Sequence, residues 1–437
     1  MSILITLAGV LCLFLLIAWA RLHAFLAFLI VSLALGLSLG LSPTAALESI
    51  QSGMGNTLGF LVLILGLGAM IGKLLAESGA ATQITQSMVR LFGPKRIPLA
   101  MVSAGFLVGI PMFYTVGFVI LIPLVFAVAA HTRLPLRYVG IPMLSALSVT
   151  HGFLPPHPAP TSIAQDYGAD LSLTLLYGLI VAVPIILIGG PWFARRFRHD
   201  THHPEELPSL MPPKTDALPA ATTSFGMALL PVLLIAIPPL LLKGTSPGSS
   251  WGYWLELLSQ PAIAMLLALL VGLYVLGLRR DRSMKDLMKS MVASVQEISM
   301  VVLIIGGAGA FKQVLDTAGV SQDIAQVLLD WPVSPLLLAW GIAATIRISI
   351  GSATIAALTT AGILAPMALQ SGASPELMVL ATGAGSLMLS HVNDGGFWLF
   401  KEYFQLSIRE TFLSWTVMET MISLLGLLGV LLFSLFL

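Results

Sequence analysis

The chain has 437 residues, 57% of them hydrophobic and 9% charged, with a net charge of +1 and a mean hydropathy of +0.96. A soluble globule carries roughly 25% charged residues, so a water-facing fold is excluded, and the near-zero net charge offers no attraction to nucleic acid. The single cysteine, Cys12, excludes an intramolecular disulfide and a cysteine-built zinc site.

Apolar runs of about 20 residues, enough to cross a ~30 Å hydrocarbon core, recur along the whole chain. Spanning strands would instead show shorter, alternating segments. The expected fold class is therefore an all-α polytopic membrane protein with about 10–14 membrane segments, counting re-entrant ones. The first run, residues 3–20, has no basic residue before it, and Arg21 follows it. It reads as an uncleaved helix, although Ala18-Trp19-Ala20 resembles a cleavage site. A second run covers residues 24–41.

The first interrupted stretch is Gly109-Ile110-Pro111-Met112-Phe113-Tyr114-Thr115. Pro111 removes a backbone donor and the glycine permits a bend. In hydrocarbon such a break is tolerated only against protein or a water-filled cavity. A kinked, packed helix competes with a half-helix end facing a solute. The second stretch runs Thr150-His151-Gly152-Phe153-Leu154-Pro155-Pro156-His157-Pro158-Ala159-Pro160-Thr161, and its prolines cannot continue a helix. It reads either as an exposed loop or as a re-entrant turn whose imidazoles line a polar cavity. Imidazole titrates near neutral pH, which suits proton traffic.

After the apolar run 171–193, the hydrophilic stretch 194–224 holds Arg195, Arg196, Arg198, Glu205 and Glu206. It divides the chain into two membrane halves, 1–193 and 225–437. A second basic loop contains Arg279, Arg280, Arg282, Lys285 and Lys289. Two apolar runs lie between these loops, so both face one side, and the positive-inside rule makes that side cytoplasmic. The connection bearing Trp251 and Trp254, with Lys243, is expected outside, its indoles at the interface.

Gly306-Gly307-Ala308-Gly309 lies inside an apolar helix with no βαβ context and reads as a helix-packing surface. The third interruption is Arg347-Ile348-Ser349-Ile350-Gly351-Ser352-Ala353-Thr354. Small hydroxyl residues around a glycine also suit plain helix packing. A guanidinium in an apolar run, however, needs a counter-charge or water, and it can grip a carboxylate with two bonds. Snorkelling from a helix end is the alternative. The fourth stretch, Ser390-His391-Val392-Asn393-Asp394-Gly395-Gly396-Phe397-Trp398, sets an acid beside apolar sequence. Such acids often mark ion pathways, with an interfacial loop as the competing reading. The last apolar run is 411–437.

The landmarks repeat. Lys73 and Lys312 are 239 residues apart, with Glu77 and Asp316 following; Thr150-His151 and Ser390-His391 are 240 apart. The break 109–115 falls opposite 349–355. Three landmarks in one order imply two homologous halves with interrupted helices, a known transporter plan, whose relative orientation stays open. No Walker loop, G-x-S-x-G or H-E-x-x-H is present.

These stretches together resemble the gluconate permease family of bacterial proton symporters, within the ion-transporter superfamily. The resemblance covers essentially the whole chain. It is most specific at Leu147-Ser148-Val149-Thr150-His151-Gly152-Phe153-Leu154-Pro155-Pro156-His157-Pro158, at Gly351-Ser352-Ala353-Thr354, at Ser390-His391-Val392-Asn393-Asp394 with Gly396-Phe397-Trp398, and at Gly307-Ala308-Gly309-Ala310-Phe311-Lys312-Gln313-Val314-Leu315. It implies a secondary transporter of the bacterial inner membrane, not an enzyme, that needs no cofactor and imports gluconate or a related sugar acid with protons. Members carry gluconate, idonate or D-serine. The wider superfamily implies inverted repeats, re-entrant hairpins and a homodimer.

The expected substrate-facing groups are Tyr114, Thr115, Thr150, His151, Arg347, Ser352, Thr354 and Asn393. The expected ion-coupling groups are His151, His157, His391 and Asp394, with no metal site. One position departs from the family: Thr115 stands where an acidic residue usually precedes Val-Gly-Phe. Sodium coupling, with Ser352, Thr354 and Asn393 as ligands, therefore stays open beside proton coupling, as do D-serine and other organic acids. A membrane-embedded metal enzyme using His151, His157 and Asp394, and a sensing or structural protein, are the readings from other classes.

Overall fold

Short polar residues and prolines set where the helices begin. Ser42 accepts from the amide of Ala45 just before Pro43, Asp170 from that of Leu173, and Ser283 from that of Asp286. Ser374 precedes Pro375 and accepts from Leu377, and Ser407 forms a reciprocal capping box with Glu410. Each cap satisfies an amide that the first helical turn leaves open.

The computed structural model describes residues 2–200, 218–242, 244–245, 249–320, 323, 326–327 and 333–436. In the first half the helices are α1 (Ser2–Phe14), α2 (Ala24–Ser38), α3 (Pro43–Glu77), α4 (Ala80–Phe92), α5 (Ile97–Gly109), α6 (Tyr114–Thr132), α7 (Leu136–Phe153), α8 (Pro158–Tyr167) and α9 (Leu171–Leu187). Next come α10 (Ala221–Leu242), α11 (Ser250–Ser259), α12 (Pro261–Gly272), α13 (Met284–Thr317) and α14 (Pro335–Ile350). The chain ends with α15 (Ala353–Gln370), α16 (Pro375–Gly385), α17 (Gly395–Tyr403), α18 (Ile408–Thr411) and α19 (Val417–Phe433). The fold is all-helical, and no strand occurs among the described residues.

Six helices are long and apolar enough to cross a membrane among the described residues, or up to eight if each of two bent pairs is one span. Four shorter apolar helices accompany them. The outward faces are apolar: Leu4, Leu7 and Leu11 on α1 and Ile180, Val183 and Leu187 on α9 are exposed. This is a multi-pass integral membrane protein. α8 and α17, at 10 and 9 residues, are too short to span.

Two apolar cores form. One gathers α2, α3 and α13; the larger surrounds α5, α7, α9, α16 and α19. Glycine decides how closely α3 and α13 approach. A Cβ at Gly309 would lie 2.7 Å from the carbonyl oxygen of Gly53, and one at Gly53 would overlap that of Gly309. The small-residue run at 306–309 is thus a helix contact, as small residues in membrane helices commonly are.

The repeated landmarks occupy comparable places. α3 and α13 are 35 and 34 residues long, and each is followed by a left-handed glycine, Gly79 and Gly319. The break between α5 and α6 and that between α14 and α15 come next in each half.

Two expected boundaries move. α10 begins at Ala221, so residue 224 lies inside it, its hydroxyl bonded to the Ala220 carbonyl at 3.1 Å. Residues 201–217 of the expected linker, Glu205 and Glu206 included, lie outside the described residues. The expected outer connection forms α11, because Ser249 caps it through the Gly252 amide; Trp251 and Trp254 on it are exposed, and Lys243 lies outside the described residues. The second basic loop closes the C-terminal end of α3. Arg280 donates to the Ser78 carbonyl at 2.6 Å and Arg282 to Glu77 at 2.8 Å, cations where the helix dipole favours them.

Candidate functional site

Both helix breaks bring backbone ends to one place. α5 stops at Gly109 and α6 starts at Tyr114, with Pro111 in the gap. α14 stops at Ile350 and α15 starts at Ala353, with Gly351 at φ +83° between them. A Cβ at Gly351 would overlap the Asn393 carbonyl oxygen, so only glycine provides both the left-handed turn and the close approach.

The carbonyl ends of the broken helices are closed by side chains. Nε2 of His157 lies 2.9 Å from the Gly109 carbonyl oxygen. Asn393 donates to the carbonyls of Ile348 at 2.8 Å and Ser349 at 3.3 Å, and His391 Nε2 reaches Ile348 at 3.0 Å. A carbonyl only accepts, so each imidazole presents its Nε2–H tautomer here. The amide ends are treated differently. Ser352 caps α15 through the Ile355 amide at 3.3 Å, whereas no side chain caps α6.

Arg347 fills the second break. Its Nη2 lies 2.5 Å from Asp394, its Nη1 donates to the Gly351 carbonyl, and its Nε is buried without a partner. The side chain of Arg347 is only 4% exposed, so this is a desolvated ion pair and snorkelling does not describe it. Asp394 also accepts from Ser390 and caps α17 through the Gly396 amide at 3.0 Å. Behind it, a π-helical turn, Phe412–Thr416, joins α18 to α19. That turn aims Trp415 Nε1 at Ser390 Oγ, 2.7 Å away, and the Thr416 hydroxyl at the Ser390 carbonyl, 2.6 Å away.

A cavity of about 640 Å³ opens among these elements, within the size range of small-molecule sites. Tyr114, His151, Arg347, Ser352, Thr354, Asn393 and Asp394 all border it, as do Ser148, Trp415 and Glu419. The N-terminal ends of α6 and α15 open onto it at Phe113-Tyr114 and Ser352-Ala353. Besides Arg347 Nε, the Tyr114 hydroxyl, His151 Nδ1 and Glu419 Oε2 are buried here without partners. Thr150, His157 and His391 do not line the cavity. Thr150 is fully buried and donates to the Leu147 carbonyl at 3.0 Å. His157 and His391 hold helix ends, as above. Thr115 is the second residue of α6. Among the described residues, no group of three His, Cys, Asp or Glu side chains gathers where it could hold a metal ion.

Glu419, Ser148 and Trp415 were not among the expected site residues. Glu419 was the one with a legible signal, an acid inside the apolar run 411–437, which the rule applied to Asp394 also picks out. Ser148 acquires meaning only through Glu419, 271 residues away in sequence and 2.5 Å away in space.

Helix amide ends and a guanidinium attract negative charge, while hydroxyl, amide and imidazole groups offer hydrogen bonds to a polyhydroxy body. The family model for GntP family permeases matches residues 1–436. The chain is 47% identical to a high-affinity gluconate transporter of Escherichia coli strain K12, over 99% of each chain. It is 45% identical to a gluconate permease of Bacillus subtilis strain 168, over 100% of each. It is 44% identical to the Gnt-II system L-idonate transporter of Escherichia coli strain K12, over 99% of this chain and 98% of that one. Among solved structures, the YdaH transporter of Alcanivorax borkumensis shares the fold with a TM-score of 0.67 at 19% identity, over 94% of this chain and 97% of that one. MtrF of Neisseria gonorrhoeae does so with a TM-score of 0.63 at 16% identity, over 93% of each.

Proposed function

The chain belongs to the GntP family of permeases, and from that premise we propose that it imports gluconate or a related sugar acid across the bacterial inner membrane in symport with protons. The family is one of permeases, which sets aside the membrane-enzyme reading. The names of the gluconate and L-idonate relatives support the substrate class. The observation that carries the reading is the asymmetry of the two breaks. Their carbonyl ends are capped by His157, His391 and Asn393, while the amide ends of α6 and α15 and the buried Arg347 border the cavity. Arg347 and the helix amide ends give a carboxylate its attractive contacts there, within a lining that also holds Glu297, Asp394 and Glu419.

In this reading the substrate carboxylate approaches Arg347 and the uncapped start of α6. Tyr114, His151, Ser352, Thr354 and Asn393 take its hydroxyls, and Thr115 stands at the same helix start. Thr150, His157 and His391 hold the shape of the site, and Asp394 orients Arg347. The two membrane halves act as inverted repeats whose breaks form one site, joined by a cytoplasmic connection that ends where α10 begins at Ala221. The matched positions of α3 and α13 and of the two breaks support this plan. Homodimer formation rests on the resemblance alone, and crosslinking in native membranes tests it.

Importing a monovalent anion against ~100 mV costs about 2.3 kcal/mol, so one co-transported cation at least cancels the charge. Counterflow exchange in proteoliposomes, with labelled gluconate challenged by L-idonate, glycerate and D-serine, tests the substrate class. Gluconate and L-idonate are expected to compete best. Strong competition by D-serine alone would overturn the sugar-acid assignment.

A further inference from the structure

We propose that Glu419 is the proton-binding site that couples proton entry to solute entry, with Ser148 holding one of its oxygens. This rests on the proton-symport reading above. Glu419 lies three residues past the π-helical turn that ends at Thr416. It is 1% exposed and borders the cavity. Its Oε1 accepts from Ser148 Oγ at 2.5 Å, and its Oε2 has no partner. The hydrogen bond joins α7 of the first half to α19 of the second, so the carboxyl sits where the two halves meet.

The charged and titratable groups facing Glu419 are Arg347 and Asp394, with Tyr114; His151 borders the same cavity. Arg347 makes its direct contacts with Asp394 at 2.5 Å and with the Gly351 carbonyl, so it acts on Glu419 without pairing to it. An ionised carboxylate held there has a bare oxygen and shares the nearby Arg347 with Asp394, so burial still costs it heavily. A proton on Oε2 removes that cost. It also turns the oxygen into an O–H donor at the cavity wall, beside the unpartnered Tyr114 hydroxyl and His151 Nδ1.

The step balances without any further reactant. One proton from the outer solution forms the O–H bond at Oε2, and one sugar-acid anion enters the cavity, so the loaded site gains no net charge. On the inner side the anion leaves and the O–H bond gives its proton to water. Proton and anion therefore favour each other's binding, and by linkage the effect is reciprocal.

The test uses full-length protein in proteoliposomes containing a trapped pH indicator. Wild type should acidify the interior when gluconate is added outside. E419Q should lose that acidification and lose accumulation driven by a pH gradient. Counterflow exchange, which needs no net proton movement, should be impaired less. E419D should retain gluconate-evoked proton entry. S148A removes a donor that favours the ionised carboxylate, so half-maximal uptake should move to higher pH. Proton entry that survives in E419Q overturns the assignment. If E419Q is inactive in every assay, S148A and E419D decide: an unmoved pH profile in S148A, or loss of proton entry in E419D with exchange intact, overturns it. A wild type that transports gluconate without proton entry would overturn the symport reading itself, and this proposal with it.

Discussion

Replacing Arg347 with lysine keeps the charge and removes the fork. In the structure Nη1 serves the Gly351 carbonyl and Nη2 serves Asp394, leaving Nε buried and free. A lysine ammonium is a point charge on a flexible stem. It can stay near Asp394, but it cannot hold the Gly351 carbonyl and Asp394 in one plane while meeting a substrate carboxylate. One lost hydrogen bond to a charged group is worth about 1.5–3 kcal/mol, roughly a 10- to 150-fold rise in Kd. Gluconate binding to purified Arg347→Lys, measured by calorimetry, should weaken by that factor, while the retained charge keeps the melting temperature close to wild type. Arg347→Ala differs in kind. It strands a partly buried carboxylate, and breaking a buried pair costs about 3–5 kcal/mol, so the protein itself should melt earlier. Arg347→Lys binding gluconate as tightly as wild type would refute a substrate role for the guanidinium and leave it a purely structural ion pair.

Three further outcomes can be checked. Asn393→Ala uncovers the carbonyls of Ile348 and Ser349, and thermal unfolding should show a loss of about 1–3 kcal/mol, softened where His391 still reaches Ile348. Gly351→Ala forces an L residue into a left-handed turn, at about 1–2 kcal/mol, and drives its Cβ into Asn393. Uptake should fall sharply even where the protein still inserts, and a fully active G351A would show that the turn rearranges freely. In a Cys12→Ser background, a cysteine at Ser209 should resist an impermeant thiol reagent in intact cells and one at Ser249 should react; the reverse pattern inverts the topology.

Sequence alone conveys the class of fold because composition and the ~30 Å hydrocarbon core leave helices as the workable solution for these apolar runs. It also marks the breaks: Pro111, Pro155 and Pro156 remove backbone donors, and Gly351 permits a left-handed turn. What each polar residue does there is less legible. His151 and His157 look alike in sequence, yet one borders the cavity with a free Nδ1 and the other closes the end of α5. The Arg347–Asp394 pair joins residues 47 apart, and Glu419 meets Ser148 across 271. Such contacts depend on how the halves pack, which hydropathy does not encode. α11 forms where a connection was expected for a smaller reason: a serine such as Ser249 is equally at home in a loop and as a helix cap.

Accumulation of labelled gluconate by proteoliposomes holding only this protein, under an imposed inward proton gradient, bears most directly on the proposed function. Saturable uptake is expected that falls as external pH rises, collapses with a protonophore, and does not depend on sodium. Uptake that persists with the protonophore and requires sodium would replace the proton as driving ion. Absence of uptake of any organic acid under either gradient would contradict the sugar-acid carrier altogether.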